Sequence, residues 1–508
     1  MTSCVDWLVF SAEICIPWVE RIGFTNLRSL TGCGQVVEEM SDATDRRVLK
    51  GPYGWRAGSR PAQRVDAEQR SLAQILNLVR AGDANTKLEI ERISGLGRAI
   101  VADRLATLLE LGLIEEGDLG QANGGRAPRV VRFHDQVGVF LVAVLNQSTI
   151  GIALSDLSGK LIVEHHEAAD TVSDPAQVIR RLATLFDWAL EQHREGRDVW
   201  GIGIAVAGPV EPSESQPFTS PNLHFLPTWI NVPFVEELVA RYGAPVWVRN
   251  STQMTTLGEQ RAGSAAGAYD MLFVELGREI TAGIVCDGQL YRGAQGGAGL
   301  IGHISTGEDN STVCRCGNTG CLEAVAGSEA IGRAAMRAVH DGQSPYLTEL
   351  LAANGELVLA DVATAAIVGD QFSAELLARS GRLIGTALAS LTNSFNPSLI
   401  VLGGALAQHS DILLAAIREA VYRRSHPLVT RDLKIVRSQM SSSATLAGVA
   451  FSVVDETFAS HSLAAWVSHG SPLKHPDVAG IVARTRQAES PAHSRPAPPA
   501  AVTSAGPR

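Results

Sequence analysis

Apolar residues recur along the chain with two different periods, and the change of period divides it. In "SLAQILNLVRAG", Leu72, Ile75, Leu76 and Val79 fall three and four apart, the spacing of one buried helix face. A second helix opens at Thr86, where Thr86 and Glu89 form a T-x-x-E capping box. Leu88, Ile90 and Ile93 supply its buried side, and Gly95-Leu96-Gly97 breaks it. A third helix, "RAIVADRLATLLELG", carries Ile100, Val101, Leu105, Leu108 and Leu109 and stops at Gly112. The stretch "LIEEGDLGQANGGRAPRVVRF" then reads as strand, glycine-rich turn and strand. Over residues 66–133 this is the element order of a winged helix-turn-helix. Its third helix would enter the DNA major groove, and its hairpin would touch the backbone or minor groove. The same pattern would also suit a three-helix module for dimerisation or docking.

From 137 to 457 the pattern becomes α/β. "VGVFLVAVL" and "IGIALSDLSGKLIVEHHEA" read as adjacent strands, a helix follows near 175–193, and "VWGIGIAVAG" is a buried strand. "PVWVRN", "MLFVELG", "TAGIVCDGQLYRG" and "LIVLGG" continue the series, with a long helix from Ala374 to Asn393. Strands alternating with helices predict a sheet covered by helices. The set occurs once before and once after about residue 250, which predicts two similar lobes with a cleft between them.

The ends differ from this body. Residues 1–65 mix Trp, Cys and Gly without a sustained period and read as a poorly ordered extension. Met40 opens a more ordinary start. Residues 470–508 are rich in Pro, Ala and Ser and read as a disordered tail. Asp6 and Glu13 interrupt the first apolar run, and no run reaches the ~20 residues of a membrane span. Seven cysteines in 508 residues do not make a disulfide framework. A cytoplasmic protein with no membrane partner is expected.

Net charge is −10, so the chain is not basic overall. A small basic face is enough for nucleic acid, and the hairpin has one. No acid lies between Leu119 and His134, while Arg126, Arg129 and Arg132 sit on or beside the tip. The third helix offers Arg98 and Arg104 on its outer side, with Asp103 between them. Arg98, Arg104, Arg126 and Arg129 are the candidate DNA contacts.

Four soft ligands gather in "GHISTGEDNSTVCRCGNTGC": His303, Cys314, Cys316 and Cys321, spaced H-x10-C-x-C-x4-C. Three thiolates and an imidazole are the set of a closed structural zinc site. Gly317 and Gly320 allow the sharp turns that would bring the sulfurs together.

"GAQGGAGLIGHI" followed by "CRCGNTGCLEAVAG" resembles the ROK family of sugar repressors and sugar kinases. The resemblance covers about 70–457, including the "GGRAP" hairpin that the repressor branch carries. It implies an N-terminal winged helix-turn-helix joined to a two-lobed, actin-like (ribonuclease H-like) sugar kinase domain, assembled as a homodimer or homotetramer.

The same resemblance locates the kinase parts, and three are altered. The first phosphate turn, D-x-G-x-T, reads "VLNQS", so Val144 replaces the acid and Asn146 the glycine. The second, G-T-G-x-G, reads "GREIT", with Arg278 and Glu279. The catalytic aspartate of N-D-A-N is Ser251 in "NSTQ", and serine cannot take a hydroxyl proton near neutral pH without a base beside it. In the sugar subsite Asn222, Asn250, His303 and Glu323 match family contacts, while Leu300 replaces a carboxylate. His303 would serve both metal and sugar, one nitrogen to each. Gly97, Ile100 and Ala102 stand where family repressors usually show hydroxyls on the reading helix. The expectation is a DNA-binding regulator, a repressor without kinase activity. It would act on a two-fold operator in response to a sugar or sugar phosphate. The alternatives are an active sugar kinase with an appended domain and a ligand-blind interaction protein.

Overall fold

The computed structural model describes residues 67–119, 129–210, 218–221, 223, 227–308, 311–440 and 442–489. The N-terminal extension, Arg126 at the hairpin tip and Asn222 lie outside the described residues.

The N-terminal module contains helices α1 (Ala67–Ala81), α2 (Lys87–Ser94) and α3 (Arg98–Glu110), then strands β1 (Ile114–Leu119) and β2 (Arg129–Phe133), which pair antiparallel. The capping box forms: the Glu89 amide donates to Thr86 Oγ1 at 3.3 Å, and the Thr86 amide donates to Glu89 Oε2 at 3.1 Å. Gly95 ends α2 at φ 69°, in the left-handed region. One expectation fails in α2. Ile90 is buried, but Leu88 is 74 % exposed and Ile93 42 %. At about 100° per residue, Leu88 and Ile90 point to nearly opposite sides of the helix, and a two-turn helix has one inward row. Ile100 is likewise exposed, while Val101, Leu105 and Leu108 form the buried face of α3.

Two five-stranded sheets follow. The first orders its strands β5-β4-β3-β6-β7: β3 (Gly138–Asn146), β4 (Thr149–Asp156), β5 (Leu161–Ala168), β6 (Asp198–Val206) and β7 (Val246–Asn250). The second is β10-β9-β8-β11-β12: β8 (Met271–Leu276), β9 (Ile280–Cys286), β10 (Gln289–Tyr291), β11 (Leu399–Gly403) and β12 (Lys434–Arg437). In each, three antiparallel strands are extended by two parallel ones. The two lobes therefore repeat one topology. β3 is apolar and buried from Gly138 to Leu145, as a strand covered on both faces must be, whereas β5 alternates at the edge. Helix α4 (Pro175–His193) and α5 (Phe234–Tyr242) belong to the first lobe.

Between the sheets run α6 (Ser251–Ala262) and, from the far end of the sequence, α10 (Ser443–Thr457). The intervening helices include α7 (Leu322–Ala326), α8 (Gln371–Phe395) and α9 (Asp411–Arg424) in the second lobe. A Cβ on Gly258 of α6 would lie 1.9 Å from the Ala444 carbonyl oxygen, and one on Gly448 of α10 would lie 1.7 Å from that of Met254. The two backbones touch. Gly203 of β6 accommodates Val449 of α10, and Gly283 of β9 accommodates Thr256 of α6, so each helix seats on its own sheet at a glycine.

The chain past 457 corrects the sequence reading. Helix α11 (Ser460–Trp466) packs on α1, and Trp466, Phe458 and Trp200 join the apolar cluster that contains Leu72, Ile75 and Leu76. The winged-helix module thus shares a core with the first lobe. Residues expected in a disordered tail form α12 (Pro476–Glu489), which packs on α5 and buries Val478 and Ile481. Composition suggested disorder, but two apolar residues one turn apart suffice when a groove is waiting.

Replacing Gly448 by Ala should be expensive, because the added methyl meets main-chain carbonyl rather than a movable side chain. We expect a loss of about 3 kcal/mol or more, read as a lowered urea midpoint. An unchanged midpoint would show that the helices separate easily.

Candidate functional site

The cysteine loop folds on itself. Cys314 donates its amide to Asn318 O at 2.7 Å, and Gly317 and Gly320 adopt φ of 89° and 68°. Ser305 bridges to Cys321 and Val313 to Thr319. The ligand atoms of His303, Cys314, Cys316 and Cys321 lie within 4.8 Å of one another. Cys314 Sγ is 3.6 Å from His303 Nδ1, and Cys316 Sγ is 3.7 Å from Cys321 Sγ. A tetrahedral ion with metal–sulfur bonds of about 2.3 Å needs sulfur–sulfur edges of about 3.8 Å, while a disulfide needs about 2.05 Å. The spacing fits a shared cation. Burial and then the neighbouring sulfurs push the Cys321 thiol up to about 12, so packing the thiolates together calls for a positive centre. These four residues could hold a metal ion.

Glu323 sits in the first turn of α7 and is buried. Its Oε1 accepts from Arg315 Nε at 3.1 Å and lies 3.9 Å from His303 Nδ1. Arg315, between two of the cysteines, also reaches Glu279 Oε1 with Nη2 at 3.0 Å. One guanidinium therefore ties the cysteine loop to the second phosphate-turn position. Sequence reading missed Arg315, because nothing in the spacing tells which way a residue between two ligands points. Asn250 is committed as well. Its Nδ2 donates to Gly208 O at 2.6 Å, and its Oδ1 caps α6 by accepting from the Gln253 amide at 2.9 Å.

A cleft of about 960 Å³ opens between the lobes. The end of β3 and the turn after it supply Asn146, Gln147 and Ser148, α6 supplies Ser251, Thr252 and Thr255, and α10 contributes Thr445 with Ser442 at its N-cap. Glu275, Arg278 and Glu279 come from β8 and the turn after it. All three altered kinase stretches thus line one space. Arg278 pairs with Glu329 at 2.6 Å and reaches across the cleft to Gln147 of the other lobe. Burial, then repulsion from Glu279, raises the Glu275 carboxyl to about 7. Sequence reading did not single out Glu275, since its neighbours come from other segments.

On the winged-helix module Arg98 is exposed at the start of α3 and makes no ion pair among the described residues. Arg104 does not lie on the outer side. It turns back to Glu68 Oε1 at 2.9 Å and Ser71 Oγ at 3.0 Å, with Asp103 at 2.6 Å, and its side chain is 13 % exposed. Two carboxylates and a hydroxyl outcompete water there. Arg129 is exposed and pairs with Glu116 across the hairpin. Behind the module, Arg80 of α1 pairs with Asp455 of α10 at 3.3 Å, and Asp455 also binds Arg261 of α6. The seam helices thus line the cleft with their first turns and hold the winged helix at their other end.

This arrangement of two repeated lobes, a central cleft and an N-terminal winged helix has relatives. The sequence profile of the ROK family matches residues 147–456, and the chain belongs to that family. It is 27 % identical over 376 residues to a putative xylose repressor of Caldicellulosiruptor sp. (strain Rt8B.4), covering 74 % of this chain and 92 % of that one. It is 30 % identical over 273 residues to a glucokinase of Halalkalibacterium halodurans, covering 54 % and 82 %. Among solved structures, a ROK family transcriptional regulator, a homolog of the E. coli MLC protein, superposes with a TM-score of 0.66. That match has 26 % identity and covers 79 % of this chain and 99 % of that one. No helix among the described residues is long and apolar enough to cross a membrane.

The Glu275 shift has a thermodynamic consequence. The unfolded chain releases this proton near the ordinary value of 4.5, while the fold retains it to about 7. Stability is therefore full below pH 4.5 and declines as pH rises toward 7. Glu275→Gln should stabilise the protein at pH 8 by about 1–3 kcal/mol, with the advantage shrinking toward pH 5. Thermal melts at both pH values check this, and a pH-independent difference would exclude it.

Proposed function

We propose that this chain is a DNA-binding transcriptional regulator of the repressor type, responsive to a sugar-derived effector and without sugar kinase activity. The observation that carries the reading is the joining of two things in one body. A winged helix is built into the core of the first lobe, and the cleft of the same lobes presents Ser251, Asn146 and Glu279 where a kinase needs carboxylate and phosphate turns. Phosphoryl transfer depends on positioning and charge at those places. The similarity to a xylose repressor and to a solved ROK regulator supports the same class.

In this reading Arg98 and the hairpin arginines Arg126 and Arg129 meet DNA, and two readers of a homodimer or homotetramer engage a two-fold site. Arg104 instead fastens α3 to α1. Zinc fits the loop of His303, Cys314, Cys316 and Cys321, because three thiolates and an imidazole make the closed tetrahedral set of a structural zinc site. It would hold in place a loop with few apolar residues of its own. The sugar-subsite residues Asn250, His303 and Glu323 then have structural duties, as cap, ligand and partner of Arg315.

Selection of genomic fragments by the purified, metal-loaded protein should recover a short inverted repeat. Arg98→Ala should weaken binding to that site about tenfold or more, measured by fluorescence anisotropy. Failure to enrich any DNA, or ATP-dependent phosphorylation of a hexose by the same preparation, would overturn the reading.

Elemental analysis should find about one zinc per chain. Cys321→Ser or a strong chelator should lower the melting temperature, and the ion should be lost more readily as pH falls and thiolates protonate. A chain that is metal-free as purified, yet melts unchanged with added zinc, would remove the metal from the account.

A further inference from the structure

We propose that α3 reads its DNA site through thymine methyl groups: the exposed apolar residues Ala99, Ile100 and Ala102 meet the C5 methyls in the major groove, beside a single hydrogen-bonding reader, Arg98. This rests on the reading that the chain binds DNA through α3, and it names the feature of the bases that this helix selects.

The side-chain inventory of α3 carries the argument. The helix, RAIVADRLATLLE, holds no Asn, Gln, Ser, Lys or His. Val101, Leu105 and Leu108 face the core of the module. From Arg98 to Ala106 the exposed residues are Arg98, Ala99, Ile100, Ala102, Asp103 and Ala106. Asp103 is held by Arg104 at 2.6 Å, and the Thr107 hydroxyl donates to the Asp103 main-chain oxygen at 3.2 Å. Arg98 makes no ion pair among the described residues. The polar groups near the start of the helix are therefore committed, Arg98 excepted.

A base pair is told apart in the major groove by its hydrogen-bonding edge or by the thymine methyl. Adenine is read by the amide of Asn or Gln, which α3 lacks, and guanine by an arginine, of which one is available. Where this face meets an A·T pair, the methyl is the group it can recognise. Alanine on a helix surface is an ordinary helix former, so Ala99 and Ala102 would be unremarkable alone. Ile100 is not. It is β-branched, stands in the first turn and is 43 % exposed, so neither propensity nor burial within the protein favours it there. The first turns of a reading helix are those that approach the base edges, and an apolar side chain there regains its burial against a methyl.

Charge favours DNA over an apolar protein partner for this face. Helices α2 and α3 expose Lys87, Arg92 and Arg98, against Asp103, which is already paired, and Glu110 at the far end of α3. The hairpin is fixed to the same body, because the Val131 amide donates to Asn85 O at 2.7 Å and Val130 bridges to Thr86. Phosphate contacts from the wing would therefore set the depth and register of α3.

The test uses the full, metal-loaded chain and the site recovered by genomic selection. Each thymine is replaced singly by deoxyuridine, which keeps the pairing and removes only the methyl, and affinity is read by fluorescence anisotropy. At least one thymine in each half-site should show a loss of about fourfold, the worth of one buried methyl. Ile100→Ala should weaken binding to the thymine site and shrink that loss to below about twofold, while Ile100→Val should keep most of it. Ile100 is exposed, so both variants should melt with the parent chain. A recovered site that tolerates deoxyuridine at every position overturns the proposal. So does a deoxyuridine loss left intact in Ile100→Ala. A change in the oligomeric state of free Ile100→Ala with no change in that loss also overturns it, and makes the face a protein contact. If no site is recovered at all, the regulator reading falls and this proposal with it.

Discussion

The contact between Gly258 and Gly448 governs the rest of this molecule. It brings the backbones of α6 and α10 together with no side chain between them, and close packing of this kind leaves few alternative arrangements. Because α6 seats on the second sheet and α10 on the first, the contact is also the seam between the lobes. The cleft lies at one end of the seam and Asp455 at the other, between Arg261 and Arg80. An event in the cleft that shifts one helix against the other therefore has a short, stiff route to the winged helix. Such a route transmits only if the ligand favours one arrangement over the other.

Much of this architecture was legible in the chain. Period-three-and-four spacing located α1, the capping box fixed the start of α2, and the repeated set of strands announced two lobes. The cysteine spacing marked a loop whose ligand atoms indeed converge. What stayed hidden depends on partners distant in sequence. Arg104 was placed outward by helical phase alone, and a carboxylate 36 residues away turns it inward. Leu88 looked like core because apolar residues usually are, although its phase opposed Ile90. Helix α12 was invisible, since its stabilising groove is made by α5, more than two hundred residues earlier.

The site itself was half legible. The losses at Asn146, Glu279 and Ser251 were readable as departures from a kinase pattern, and the structure adds that they face one cavity. The roles of Asn250 and Glu323 were not readable, because the residue types match sugar contacts while their hydrogen bonds are spent on an N-cap and on Arg315. Identity at a position and availability of its atoms are separate questions, and only coordinates answer the second. Arg315 shows the converse: it stands inside the cysteine motif with no ligand role there, yet it connects the metal-competent loop to the cleft through Glu279.

The shared core of the winged helix and the first lobe has a consequence for how operators are measured out. Phe133 packs edge to face on Phe458 at 5.6 Å, and Trp200 on Trp466 at 5.9 Å, so the reader is not a bead on a tether. A tethered reader tolerates any half-site separation its linker can span. In the proposed dimeric or tetrameric regulator, the separation would be set by the body of the protein, and the lobes would act as the ruler. Natural variation in operator spacing would then have to be accompanied by changes in subunit geometry, and lengthening a linker would not produce it.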